Sequence, residues 1–72
     1  MNYRYSLLLQ WSQEDQLYLV TLPEFAKLTM QPCTYGKTYE EAIANAQEAI
    51  ASYLDYCEEE GLVPPSLMTV AA

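Results

Sequence analysis

Residues 38–61, T-Y-E-E-A-I-A-N-A-Q-E-A-I-A-S-Y-L-D-Y-C-E-E-E-G, constrain the fold more than any other part of the chain. They predict one long amphipathic helix with both ends marked. Thr38 is placed to be the N-cap, with Glu41 as its reciprocal partner three residues on, the pattern of a capping box. Gly61 suits the left-handed residue that closes a helix, and Pro64 and Pro65 prevent its resumption. Between these caps Tyr39, Ala42, Ile43, Ala46, Ala49, Ile50, Tyr53, Leu54 and Cys57 recur at three- and four-residue steps, one stripe facing a core. Ala42, Ala46 and Ala49 form a row of small residues that lets the helix lie close to a layer of larger side chains. High helix propensity explains Ala44 and Ala51 equally well.

The other face of this helix is acidic. From Thr38 onward the chain has no Lys or Arg, but it carries Glu40, Glu41, Glu48, Asp55, Glu58, Glu59 and Glu60. Before Thr38, Arg4, Lys27 and Lys37 balance Glu14, Asp15 and Glu24, so the second part holds the whole net charge of −7. That balance opposes nucleic-acid binding, which draws its affinity from clustered Lys and Arg, and it opposes anionic membranes for the same reason. It keeps a small protein soluble, and it admits a basic protein partner without demanding one.

Taken in order, residues 3–11 alternate as a strand, with Tyr3, Tyr5, Leu7, Leu9 and Trp11 on one face. Residues 12–16 are polar and read as a hairpin loop, and 17–22 return with Tyr18, Val20 and Leu22 on the same apolar face before Pro23 stops the ladder. Leu8, Leu17 and Leu19 fall on the second face. Two readings stay open there: scattered exposed apolar residues, which are ordinary, or a self-association surface for a domain with a thin core.

In residues 24–31, Phe25, Leu28 and Met30 are the possible anchors. Pro32 and Gly36 bracket a short third strand at 33–35, and a short last strand is predicted at 67–71. The expected architecture is α+β, a two-layer β-β-β-α-β sandwich with a mainly antiparallel sheet and one helix packed on one face. With 72 residues, 51% of them hydrophobic and seven tyrosines, residues 1–72 make one small globular domain without a separate DNA-binding module. No stretch reaches the roughly 18 apolar residues of a membrane span, and no secretory signal is visible. The expectation is therefore cytoplasmic, with Cys33 and Cys57 reduced.

No catalytic constellation is present. The absence of histidine removes the commonest general base and transition-metal ligand, and two cysteines are too few for a structural zinc site. Gly36-Lys37-Thr38 echoes the end of a phosphate loop without its upstream glycine. Glu40-Glu41 and the run Glu58, Glu59, Glu60 are adjacent on a helix, so their carboxylates do not converge on one ion. Cys33 lies near a helix N-terminus but lacks a basic neighbour, which favours packing over reactivity. Neither enzyme activity nor a cofactor or metal is expected. Glutamates at a helix C-terminus face the negative end of its dipole, at a cost of about 0.3–1 kcal/mol for a well-placed charge, and a basic partner would relieve that. Glu48, Asp55, Glu58, Glu59 and Glu60 are the candidate partner-binding residues.

These fragments together resemble the HicB-like antitoxin family. The points of resemblance are a tyrosine-bearing strand ending in Leu22-Pro23-Glu24, then Cys33-Thr34-Tyr35-Gly36-Lys37-Thr38, then Tyr39-Glu40-Glu41-Ala42 opening an alanine-rich helix. Ala46, Ala49, Tyr53, Leu54 and the prolines 64 and 65 continue the pattern. The resemblance implies a partial ribonuclease-H-like fold without nuclease carboxylates, self-associating as a dimer or tetramer. It also implies neutralisation of a small basic HicA-like mRNA-cleaving toxin. The chain departs from the family in its longer 24–33 segment and in ending at Ala72, which leaves no room for the DNA-binding segment many members carry. The alternative is a stand-alone oligomeric HicB-like module with another ligand and no cognate toxin.

Overall fold

The computed structural model describes residues 3–71. Its elements are β1 (Leu8–Ser12), β2 (Leu17–Thr21), a single 3-10 turn (Pro23–Phe25), β3 (Thr34–Gly36) and α1 (Tyr39–Glu59). The strands form one antiparallel sheet in the order β1-β2-β3, and α1 packs across one face of it. Pairing of Leu9 with Val20 and of Trp11 with Tyr18 sets the register of the hairpin, and Tyr18 lies opposite Gly36 on β3. The class is a small α+β fold with a three-stranded sheet under one helix.

Both ends of α1 follow from the residues found there. The Thr38 hydroxyl accepts from the Glu41 N–H at 3.1 Å, an N-cap bond. The return half of the capping box is displaced by one residue: the Glu41 carboxylate accepts from the N–H of Lys37, not of Thr38. At the other end Gly61 sits at φ +67°, and the Leu62 N–H donates to the Cys57 carbonyl and the Gly61 N–H to that of Glu58. Those two bonds are the Schellman closure that a glycine in the left-handed region permits.

Val20, Leu22, Phe25, Ala42, Ala46 and Ile50 are fully buried and form the core, ringed by half-buried side chains that include Tyr3, Tyr5, Leu7, Leu9, Ala49, Tyr53 and Leu54. Cys57 is buried as well. Gly36 explains how closely the layers approach. A methyl group there would lie 2.6 Å from the Ala42 Cα and 2.8 Å from the Glu41 carbonyl carbon, so the helix backbone occupies the space a side chain would need. Two residues of the expected helical stripe, Tyr39 and Ile43, are exposed.

Three expectations need correction. The first strand is shorter than 3–11: Tyr3, Tyr5 and Leu7 turn their side chains to the core but residues 3–7 make no ladder, and the Ser6 N–H goes to the Glu24 carboxylate instead. Residues 67–71 form no strand. The Met68 N–H is held by Glu24 rather than by a neighbouring strand. In the 24–31 segment Phe25 is a core residue and Leu28 packs at its rim, while Met30 is 88% exposed and anchors nothing.

Candidate protein-binding surface

Burial of Ala42, Ala46, Ile50 and Cys57 fixes the rotation of α1 and sends the acidic residues outward. Glu41, Glu48, Asp55 and Glu59 follow one another at steps of seven, seven and four residues, so they share one stripe opposite the core, with Glu40 and Glu58 beside it. All six are exposed. From Glu41 to Glu59 the stripe is about 27 Å long at 1.5 Å per residue. Adjacent members on that stripe are about 6–10 Å apart along the axis, near the Debye length of about 8 Å at physiological salt. Their mutual repulsion is thus small in water. Glu60 is different. It is the C-cap residue, its N–H donates to the Tyr56 carbonyl, and it stands at the end of the helix beyond the stripe.

The face of the sheet turned away from α1 carries the three leucines named above. Leu8 pairs with Thr21, Gln10 with Leu19 and Ser12 with Leu17, which places Leu8, Leu17 and Leu19 on that face together. Tyr35 joins them opposite Leu19. Leu8 and Tyr35 are 45% and 57% exposed, and Leu17 and Leu19 are half-buried. Sequence reasoning missed Tyr35 because a three-residue strand has too little periodicity to declare its facing. Only the cross-strand pairing does so.

Glu24 was missed altogether. It is 9% exposed and ties three separate segments together. Its carboxylate accepts from the Ser6 N–H at 3.0 Å, the Ser6 hydroxyl at 3.2 Å and the Met68 N–H at 3.0 Å. Burial alone would push its carboxyl up, but the bonds from Met68 and Ser6 outweigh this and hold it below the ordinary carboxylate range. With its oxygens so engaged it is an anchor rather than a base. Nearby, the Tyr5 hydroxyl donates to the Pro65 carbonyl at 2.9 Å. A groove of about 510 Å³ opens between this anchor and the C-terminal segment, lined in part by Pro23, Lys27, Leu28, Val63 and Met68. The sequence signal was slight: a glutamate after Leu-Pro, whose partners lie 18 and 44 residues away.

Both cysteines are free. Burial pushes the Cys33 thiol up despite nearby hydrogen bonds, so it is a packing residue and not a thiolate. Among the described residues no three His, Cys, Asp or Glu side chains gather where they could hold a metal ion, and no helix is long and apolar enough to cross a membrane.

The fold and these surfaces define a small α+β domain with one acidic helical face and one uncharged sheet face. Neither protein-family models, nor curated proteins, nor solved structures give a match to this chain.

Proposed function

We propose that this domain is a non-catalytic, HicB-like antitoxin-type protein that binds and neutralises a small basic HicA-like mRNA-cleaving toxin. The observation that carries the reading is the exposed acidic stripe Glu41-Glu48-Asp55-Glu59 with Glu58 beside it, on a helix that has no cation. The motif resemblance over residues 22–24 and 33–42 supports it. Electrostatic steering onto such a strip raises the encounter rate with a basic partner and makes the complex salt-sensitive. The test is coexpression with the product of the adjacent reading frame, scored by growth rescue, and then copurification across a salt series. Rescue should require the acidic stripe. Rescue that survives Glu48→Lys with Asp55→Lys and Glu58→Lys would overturn it.

A second reading rests on a different observation, the open sheet face. Leu8, Leu17, Leu19 and Tyr35 lie there without a charged residue among the strands, and on that face two copies can meet without bringing their acidic helices together. On this reading the domain is a stand-alone homo-oligomer, dimer or tetramer, with another ligand. Light scattering decides it: a stable oligomer that Leu19→Lys dissociates, with no basic partner captured, favours the second reading over the first.

A further inference from the structure

Trp11, Tyr18 and Tyr39 form a continuous aromatic row on the helix side of the sheet, where α1 begins. Trp11 and Tyr18 are opposite one another in the hairpin and meet edge to face with ring centroids 5.0 Å apart. Tyr18 in turn stacks on Tyr39 at 4.6 Å. The absence of a side chain at Gly36 lets the first helical turn settle against β3, which carries Tyr39 to Tyr18. Core formation does not account for the row. Trp11 is 47% exposed and Tyr39 is 58% exposed, and neither ring belongs to the core cluster. The indole is also held in place, its N–H donating to the Gln13 side chain at 3.0 Å. Rigid, half-exposed Trp and Tyr side chains are the residues that dominate protein-binding hot spots.

The charge around the row selects its occupant. Glu14 and Asp15 lie in the turn that follows Trp11, and Glu40 follows Tyr39 at the start of α1, against the one ammonium of Lys37 in these segments. An aromatic row alone would also suit stacked nucleobases, but a polyanion is opposed by these carboxylates. A guanidinium is favoured by both features, being planar, weakly hydrated and able to lie on an aromatic face. We propose that the Trp11–Tyr18–Tyr39 row is the docking strip for an arginine-bearing segment of a basic protein partner. This rests on the basic-partner reading above, and it adds a contact at the start of α1 that the outer acidic stripe does not include.

The test titrates the full chain with a short polyarginine peptide and a polylysine peptide of equal length, by calorimetry and by the emission of Trp11, the only tryptophan. Polyarginine should bind tighter than polylysine by about two- to fivefold and change Trp11 emission saturably. Tyr39→Leu, at an exposed first-turn position, should weaken polyarginine by about two- to fivefold and leave polylysine unchanged. Trp11→Leu, read by calorimetry after circular dichroism confirms folding, should do the same. Equal affinity for both peptides, untouched by Tyr39→Leu, overturns the strip while leaving the acidic-stripe reading intact. No binding of either peptide also overturns the strip, and growth rescue then judges the antitoxin reading separately.

Discussion

The side-chain amide of Gln31 stands beside Leu22 as a neighbouring strand would: its Nε2 donates to the Leu22 carbonyl at 3.0 Å, and its Oε1 accepts from the Leu22 N–H at 3.2 Å. Leu22 is fully buried, so no water replaces those bonds. One side chain thereby closes the end of β2 and holds the long 24–33 segment against the body. Tyr53 secures the same segment through the Thr29 hydroxyl at 3.2 Å.

Gln31→Ala should therefore destabilise the fold well beyond the loss of an ordinary surface amide. It leaves a buried N–H and a buried carbonyl unpaired, each costing about 1–3 kcal/mol. Urea denaturation should show a loss of about 2–6 kcal/mol for the pair. A loss under about 0.5 kcal/mol, the range of ordinary surface substitutions, would show that the pairing does not support the strand end.

The two glycines should respond to alanine for different reasons. At Gly36 a methyl group collides with backbone of the helix, which cannot move aside without separating the layers, so Gly36→Ala should cost at least the 1–3 kcal/mol typical of overpacking. At Gly61 there is open space, and only the positive φ is unfavourable, so Gly61→Ala should cost about 1–2 kcal/mol. Gly61→Asn tests the distinction, since asparagine tolerates the left-handed region and should recover part of that loss. No side chain should rescue Gly36.

Acid sensitivity should centre on Glu24. Its folded pKa lies below the unfolded value, so its contribution is fully present above the unfolded carboxylate range of about 4.3 and is lost as pH falls through the folded pKa. Glu24→Gln should flatten the stability profile between neutral and acid pH. It should also cost about 1–2 kcal/mol at pH 7, because Met68 and Ser6 then donate to a neutral acceptor. If the variant and the parent lose stability in parallel on acidification, other carboxylates govern the profile.

Charge reversal on the outer helix should separate folding from binding. Glu48→Lys and Asp55→Lys alter exposed positions with no core contact, so thermal unfolding should move by no more than about 0.5 kcal/mol each. Capture of a basic partner should fall in the same variants, and in the parent it should weaken as salt rises. A complex indifferent to both changes is not held by this face.

Much of this molecule is legible from local chemistry. Thr38, Gly61 and the spacing Ala42-Ala46-Ile50-Cys57 determine a capped helix and its buried side, because caps and helical periodicity are properties of neighbouring residues. Alternation from Leu17 to Leu22 likewise determines a strand and its facing. Glu24, Gln31 and Tyr35 are another matter. A buried carboxylate is an anchor or a liability according to which donors reach it, and its donors come from Ser6 and Met68. Residues 67–71 had a plausible strand composition, yet the Met68 N–H found a side chain rather than a sheet edge. Strand pairing and buried polar satisfaction depend on residues far apart in the chain, and tertiary structure alone decides which of them meet.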